Sequence, residues 1–355
     1  MATVHHERET LIRHFFPKGM PNLWCPALTH VREDGSFDTR RIESHLNRVA
    51  DFSSGWLMFG PTGHGDLFSD EDVVTLLAFS GRVAAKNNAF LLASTFATNA
   101  EHGLRRANRI VDWLRERSRD VQTPDDDDQS DGLIGAMVAT RVMGIAVSAP
   151  VQLGTPSECE SALRRYLDLG VPTAISQPPT PPENLIPPEV VAGLAADYAN
   201  FVLFEDSSGQ DRVVMSSADL SNVRKFRGAS GNYMPWTKSM GGNYDGLMVG
   251  AVNGFGLQLS EMLGFLDEGF ASHAVNLITP VQRVIDEASS AVAALEFGNR
   301  FANTQHAIDH FLAYGREPNS RPSLPLGHEF PSDVLDRVKT VLDENGFLRA
   351  SGYMS

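Results

Sequence analysis

Short apolar runs alternate with longer amphipathic segments along most of the chain, and this alternation restricts the fold more than any other feature. The apolar runs have the length of strands and cover residues 55–59, 89–94, 144–149, 173–176, 201–204 and 246–252. The amphipathic segments between them cover residues 39–52, 70–86, 99–117, 157–169, 187–198 and 256–268. Strands that alternate with helices indicate a parallel sheet covered by helices. Over about 250 residues this favours a closed (β/α)8 barrel over a doubly wound sheet, and no GxGxxG motif follows the first strand to support a dinucleotide fold.

The chain divides into three parts around that barrel. We expect an N-terminal extension over residues 1–19 and an α/β TIM barrel over residues 20–265. Strand-like runs become rare after that point, so residues 266–355 are predicted to form a C-terminal helical subdomain. Residues 119–131 interrupt the alternation with four consecutive aspartates, and we expect an exposed or disordered acidic insertion there.

Charge and cysteine content exclude several classes of protein. The 355 residues include 30 Lys+Arg and 44 Asp+Glu, for a formal net charge of −14. We therefore expect no binding to nucleic acid or to an anionic membrane surface, since both need a positive protein surface. Cys25 and Cys159 lie far apart and in no CxxC motif, so neither a disulfide framework nor a structural zinc site is expected, and a reducing cytoplasm is the predicted compartment. Residues 1–18 are too polar for a secretory signal, and no apolar run of about 18 residues suggests a membrane-spanning helix.

Two places fit the rule that catalytic groups of such barrels lie at the carboxyl ends of strands and in the loops that follow. Residues 60–66 (GPTGHGD) form a glycine-rich turn directly after an apolar run. Its backbone N–H groups and the Thr62 hydroxyl could hold an anionic ligand such as a carboxylate. Residues 205–209 (EDSSG) place a carboxylate, Glu205, where another apolar run opens into the barrel mouth.

At these places the sequence resembles the dihydrodipicolinate synthase and N-acetylneuraminate lyase family of (β/α)8 aldolases. The matching segments, in chain order, are residues 25–29 with 33–38, 60–64 with 67–71, 204–209, 241–253 and 321–326. They resemble the family's P-x-x-T…D-G-x-x-D opening, its G-[TS]-T-G-E turn, its K-D-S-S-G stretch, its G-G-x-G…A-N strand and its proline–leucine turn. The resemblance covers residues 21–348 and implies a lyase that assembles as a homodimer or homotetramer; no cofactor is expected.

The departures from the family concern its chemistry. The family needs a lysine that forms a Schiff base with a 2-keto acid, and Glu205 stands at that position. A carboxylate cannot form an imine, so Schiff-base catalysis is not expected there. The family's proton-relaying tyrosine corresponds to Ser176, and the glutamate of its glycine turn corresponds to His64. Neither Lys225 nor Lys238 stands in an obvious position to replace the lost amine.

Two functional hypotheses follow. In the first, the protein is a lyase or (de)hydratase that acts on a small keto-acid or sugar-acid-like carboxylate without a Schiff base. Glu205 moves a proton, because burial in an apolar barrel mouth would raise its pKa, and His64 assists. The predicted substrate-binding residues are Thr62, Gly63, Ser176, Gln177, Ser207 and Asn253. In the second hypothesis the protein is a catalytically inactive family member that binds or senses a small molecule, and Glu205 is a buried glutamate satisfied by neighbouring hydroxyls.

We do not predict a metal site. His64, Asp66 and Glu205 have suitable ligand atoms, but no two of them share a ligand spacing such as HxH or HxxxH. His306 and His310 are four residues apart on a C-terminal helix, which is a possible ligand spacing. Because no glutamate accompanies them in an HExxH arrangement, we expect these two histidines to lie on a polar helix face.

Overall fold

The chain folds into a closed barrel of eight parallel strands, each paired with the next and the eighth paired with the first. This computed structural model describes residues 2–121, 129–148, 155–179, 181, 184–318 and 320–354. The strands are β1 (Leu23–Pro26), β2 (Gly55–Met58), β3 (Phe90–Ser94), β4 (Val142–Ser148), β5 (Thr173–Gln177), β6 (Phe201–Asp206), β7 (Arg224–Arg227) and β8 (Gly246–Met248). The described α-helices are α1 (Ala2–Phe15), α2 (Thr39–Ala50), α3 (Asp70–Lys86), α4 (Ala100–Val121), α5 (Gln129–Thr140), α6 (Pro156–Leu167), α7 (Pro188–Asp197), α8 (Val252–Asp267), α9 (Ala271–Val292), α10 (Arg300–Tyr314) and α11 (Ser332–Glu344). The predicted (β/α)8 TIM barrel with a C-terminal helical part is confirmed.

Two strands, β1 and β7, are not among the predicted apolar runs. The sequence of β7 is polar (RKFR), yet it pairs with β6 and β8 in the barrel. Arg224 forms an ion pair with Glu9 at 2.7 Å, and Arg227 forms one with the buried Asp211 at 3.3 Å. Charged side chains can occupy a barrel strand here because oppositely charged groups from elsewhere in the chain meet them.

Helices occupy both ends of the predicted acidic insertion. Helix α4 extends to Val121, and α5, which was not predicted, begins at Gln129. The described ends of this segment are therefore helical, its four aspartates lie outside the described residues, and the expected acidic insertion stays a prediction.

The C-terminal helices cover the carboxyl end of the barrel on one side. Helix α10 packs on α8, α9 and α11 and also contacts the short turn Pro61–Gly63 after β2. The end of the described chain then returns to α10, where the N–H groups of Tyr353 and Met354 donate to the carbonyls of Leu312 and Ala313 at 3.2 and 2.9 Å. Helix α10 thus lies between the barrel mouth and the C-terminal segment.

Two further predictions, on the pairing of the cysteines and on membrane-spanning helices, concern the molecule as a whole. Cys25 and Cys159 are both buried free thiols. Within the part of the chain that the structure describes, no helix combines the length and the apolar character needed to cross a membrane.

Candidate functional site

Glu205 lies near the carboxyl end of β6, in register with Ser176 of β5 and Phe226 of β7. Its side chain is buried, with 5% of the residue exposed. The hydroxyls of Ser176 and Ser207 donate hydrogen bonds to its two carboxyl oxygens. Burial raises the pKa of Glu205 to about 7, although the two hydroxyls act in the opposite direction. A carboxyl group with such a pKa can accept or donate a proton near neutral pH.

Gly228, the residue after β7, leaves room for this carboxyl group. A Cβ at Gly228 would lie 1.5 Å from Glu205 Oε1 and 2.2 Å from Ser207 Oγ. The Gly228 N–H also donates to the Asp206 carbonyl at 2.8 Å, which holds the loop after β7 against β6. The position of the Glu205 carboxyl therefore depends on glycine at residue 228.

Gln177 follows Ser176 by one residue and, because side chains alternate along a strand, it projects to the other face of the sheet. Its amide donates to the Pro178 carbonyl at 3.0 Å and accepts from the Ile186 N–H at 2.7 Å. The side chain thus holds the loop between β5 and α7. A role for Gln177 in substrate binding stays a prediction.

The glycine-rich turn after β2 is wound tightly. His64 adopts a left-handed conformation (φ 52°, ψ 39°), which is uncommon for a residue with a side chain. The Gly63 N–H donates to the Gly60 carbonyl at 2.9 Å, and its predicted contact with a carboxylate stays a prediction. The Thr62 hydroxyl makes no hydrogen bond with any residue that the structure describes. The His64 Nε2 atom of the same turn likewise has no partner among them.

Gln305 of α10 is a neighbour of Thr62 that the sequence did not reveal. Both flank Gly250 after β8, since a Cβ there would lie 3.6 Å from Thr62 Oγ1 and 3.3 Å from Gln305 Cγ. The Gln305 Oε1 atom is buried and has no hydrogen-bond partner among the described residues. A hydroxyl and an amide oxygen without partners therefore lie at the β2 and β8 side of the barrel mouth.

Asn253, at the start of α8, connects that helix to β1. Its Nδ2 donates to the carbonyls of Pro26 and Gly250, both at 2.8 Å, and its Oδ1 accepts from the Leu28 N–H at 3.1 Å. The same Oδ1 lies 2.9 Å from His45 Nε2. The Asn253 amide is thus fully engaged within the protein, and its predicted contact with substrate stays a prediction.

His64 belongs to a row of four buried histidines between the barrel and α10. Ring centroids lie 5.4 Å apart for His64 and His306, 5.6 Å for His306 and His30, and 5.2 Å for His30 and His45. Burial lowers the pKa of His64, and it lowers those of His306 and His30 well below the ordinary value. No hydrogen bond, ion pair or ring contact joins His64 to Glu205, both of which the structure describes. The two residues predicted to act together therefore have separate surroundings.

The prediction that His306 and His310 lie on a polar face is wrong, because they are 1% and 0% exposed. Helix α10 has the barrel on one side and the C-terminal segment on the other, so its polar residues from Asn303 to His310 are buried. The sequence contained one signal that could have indicated a buried polar face on this helix. His306 and Asp309 are three residues apart, so they lie on the same side of the helix.

The lysines are placed away from Glu205. Lys225 is in register with Phe204, the residue before Glu205, and therefore projects to the opposite face of the sheet. Lys225 and Lys238 both line a cavity that Glu205 does not line, and Lys238 forms an ion pair with Asp245 there.

The fold and site define a class of protein. Its members are (β/α)8 barrels with C-terminal helices and an ionisable side chain at the end of the sixth strand. The structure is similar to YagE, a prophage protein of the dihydrodipicolinic acid synthase family from E. coli K12 solved in complex with pyruvate, with a TM-score of 0.71 at 13% identity over 92% of this chain and 98% of that one. A putative dihydrodipicolinate synthetase from Pseudomonas aeruginosa gives 0.69 at 15% identity, over 92% and 100% of the two chains. A variant of the 2-keto-3-deoxygluconate aldolase of Sulfolobus solfataricus gives 0.66 at 14% identity, over 92% and 96%. No protein-family model and no curated protein matches the sequence. The chain therefore has the fold of the dihydrodipicolinate synthase family.

Proposed function

We propose that the protein is a lyase or (de)hydratase that acts on a small keto-acid or sugar-acid-like carboxylate without a Schiff base. The observation that carries this proposal is the buried Glu205 carboxyl, whose pKa is about 7, at the end of β6. The substrate class is supported by similarity in fold to YagE, which was solved with pyruvate, and to a 2-keto-3-deoxygluconate aldolase. Both Lys225 and Lys238 lie at a different cavity, which supports chemistry without an imine.

Glu205 would transfer the proton in this reaction. In a dehydration, the ionised carboxylate accepts a proton from the carbon next to the substrate carbonyl. The C–H electron pair forms a C=C bond as the neighbouring C–O bond breaks. The proton that Glu205 has accepted passes to the departing oxygen, which leaves as water, and Glu205 returns to its ionised form. The Ser176 and Ser207 hydroxyls hold the carboxyl group and stabilise its ionised form through their hydrogen bonds.

Among the residues predicted to bind substrate, Thr62 is the best placed because its hydroxyl has no other partner. Gly63, Gln177 and Asn253 already bond within the protein, so they would contact a ligand only after those bonds rearrange. Gln305 joins Thr62 as a proposed binding residue. His64 would assist only through a substrate that bridges it to the carboxyl site.

The test is to incubate the wild type and Glu205→Gln with a panel of 2-keto acids, including pyruvate, and of sugar acids. We expect turnover, followed by NMR, with the wild type alone, and ligand-induced thermal stabilisation with both proteins. Borohydride should trap no adduct on the wild type, whereas Glu205→Lys should trap pyruvate. A keto-acid adduct on Lys225 or Lys238 of the wild type, found by intact mass and peptide mapping, would contradict the proposal.

A second candidate is a binding or regulatory protein without catalysis. It is favoured by the serine hydroxyls that donate one hydrogen bond to each Glu205 oxygen, so that both oxygens have a partner without a substrate. In that case ligands stabilise the wild type and Glu205→Gln equally, and neither protein converts any compound of the panel.

A further inference from the structure

Three side chains with metal-ligating atoms converge behind the row of histidines. His30 comes from the loop after β1, His45 from α2, and Asp309 from α10. One ligand atom of each lies within 4.8 Å of the other two, and all three residues are buried. His45 Nδ1 is 3.2 Å from Asp309 Oδ1, and His30 Nε2 is 3.6 Å from Asp309 Oδ2. Ligand atoms at the corners of a tetrahedron around zinc lie about 3.3 Å apart, so the observed spacing suits one ion.

The hydrogen bonds of Asn253 determine which nitrogen of His45 carries a proton. Asn253 Nδ2 donates to two backbone carbonyls and Oδ1 accepts a backbone N–H, so the amide has only one orientation. Since that Oδ1 lies 2.9 Å from His45 Nε2, Nε2 must be the protonated nitrogen. The Nδ1 atom of a neutral His45 therefore directs a lone pair at the Asp309 carboxylate.

Tyr353 does not relieve this contact between two acceptors. Its hydroxyl lies 3.3 Å from His45 Nδ1 and 2.9 and 3.1 Å from the two Asp309 oxygens. One hydroxyl hydrogen cannot serve all three acceptors. A positively charged species is needed between His45 and Asp309, and it is either an additional proton on Nδ1 or a metal ion.

His30 distinguishes the metal ion from the proton. Neither of its ring nitrogens has a hydrogen-bond partner among the described residues, although the residue is only 1% exposed. An unpartnered buried polar group costs about 1–3 kcal/mol, and an extra proton on His45 would do nothing for it. A metal ion bound to Nε2 would satisfy that nitrogen.

We propose that His30 Nε2, His45 Nδ1 and Asp309 bind one divalent transition-metal ion, with the Tyr353 oxygen as fourth ligand. Imidazole, carboxylate and phenolate ligands suit zinc and its neighbours in the first transition row. Asn253 would be the outer partner that orients His45, as is usual for metal-bound histidine. Because three buried side chains and the half-buried Tyr353 close the coordination sphere, the ion has a structural role and clamps α10 and the C-terminal segment to the barrel.

The positive charge of Arg41 does not exclude such an ion, because the net charge of the cluster stays the same when the ion binds. Arg41 donates to Asp309 Oδ2 at 3.1 Å and adds a positive charge beside it. Entry of the ion displaces the proton between His45 and Asp309 together with the Tyr353 hydroxyl proton. Two protons leave as one divalent ion enters, so the net charge of the cluster is unchanged.

The first experiment uses the full chain without an affinity tag. After treatment with EDTA and buffer exchange, the protein is titrated with Zn²⁺ or Co²⁺, and the metal content is measured by mass spectrometry. We expect one ion per chain, a visible d–d absorption band with Co²⁺, and a rise in the thermal midpoint on Zn²⁺ addition that EDTA reverses.

The matched variants are His30→Gln and His310→Gln. The His30 ring makes no hydrogen bond with any described residue, so replacing it removes a ligand atom without breaking a side-chain hydrogen bond. His310 is equally buried, on the same helix as Asp309, but lies outside the three-residue cluster. Loss of an outer partner weakens metal binding about 10–100-fold, so loss of the ligand His30 should weaken it by at least about 100-fold, whereas His310→Gln should bind as the wild type does.

Two results would overturn the proposal. One is a wild type that takes up no stoichiometric Zn²⁺ or Co²⁺ and shows no change in thermal midpoint, which would assign the positive species to a proton on His45. The other is equal metal affinity of the wild type and His30→Gln. If His30→Gln does not fold, the stoichiometry and the Co²⁺ spectrum of the wild type decide by themselves.

Discussion

The buried Glu205 carboxyl makes the stability of the protein depend on pH. Its pKa is about 7 in the folded chain against a reference value of 4.5, so between these values the folded state holds a proton that the unfolded state has lost. The free energy of unfolding therefore falls as pH rises from 4.5 to 7, by about 3 kcal/mol in total from this group. Below pH 4.5 the group contributes no pH dependence.

Glu205→Gln should remove this fall in the free energy of unfolding between pH 4.5 and 7. We expect the variant to gain stability relative to the wild type as pH rises from 5 to 8, measured by urea unfolding at several pH values. A stability difference that stays constant over this range would show that Glu205 titrates at the same pH in the folded and unfolded chains.

Gly228→Ala tests the close approach to the carboxyl group. The added methyl group would collide with the end of the Glu205 side chain, which must then leave its two serine partners. Overpacking of this kind costs about 1–3 kcal/mol, and the cost should shrink in the double variant with Glu205→Ala. The control is Gly193→Ala in α7, where a Cβ meets no atom within 4 Å, so unfolding should show no loss. Equal losses for the Gly228 and Gly193 variants would contradict the proposed clash.

At the scale of elements, Arg106 connects α4 to the loops after β2 and β3. It is fully buried, donates to the carbonyls of Gly65 and Phe68 at 2.7 and 2.5 Å and to the Phe96 carbonyl, and pairs with Asp70 at 3.0 Å. A lysine has neither the reach nor the planar set of donors to replace these bonds.

Arg106→Lys should therefore lower the free energy of unfolding by about 2–4 kcal/mol, because hydrogen bonds from charged groups are worth about 1.5–3 kcal/mol each. Arg105→Lys is the neighbouring control, since Arg105 is mostly exposed and makes a single ion pair with Asp70. Its effect should stay below about 1 kcal/mol. Similar losses in urea unfolding for the two variants would show that the loops do not depend on Arg106.

For the whole molecule, we expect a homodimer or homotetramer. Val275 and Ile278 of α9 line a largely apolar cavity of about 640 Å³ together with Met240, and Val275 and Met240 are exposed. An exposed apolar surface of this kind is typical of contacts between protein chains.

Light scattering after size exclusion should give a mass of two or four chains for the wild type at micromolar concentration. Val275→Glu should shift the protein toward the monomer. The substitution itself should not lower the thermal midpoint of that monomer, because Val275 is exposed. A monomeric wild type would contradict this prediction, and an oligomer unaffected by Val275→Glu would place the interface on another surface.

Much of the architecture followed from local sequence. Periodicity identified six of the eight strands, and the predicted segment 70–86 coincides with α3. Local pattern suffices for these elements because a buried strand or an amphipathic helix carries its apolar residues within one short segment. It failed for β7, where Arg227 is accommodated by Asp211, and for α10, whose polar residues are covered by distant parts of the chain.

The sequence by itself determined the barrel, the order of its elements and the place of Glu205 at the end of β6. Only the tertiary structure decided that Glu205 is buried between two serine hydroxyls. It also decided that His64 stacks on His306 and does not contact Glu205. The same is true of the cluster around Asp309, which meets Arg41 across 268 positions of the chain. The physical reason is that burial, pKa and metal-ligand geometry depend on distances between residues far apart in sequence, whereas strand and helix patterns depend on immediate neighbours.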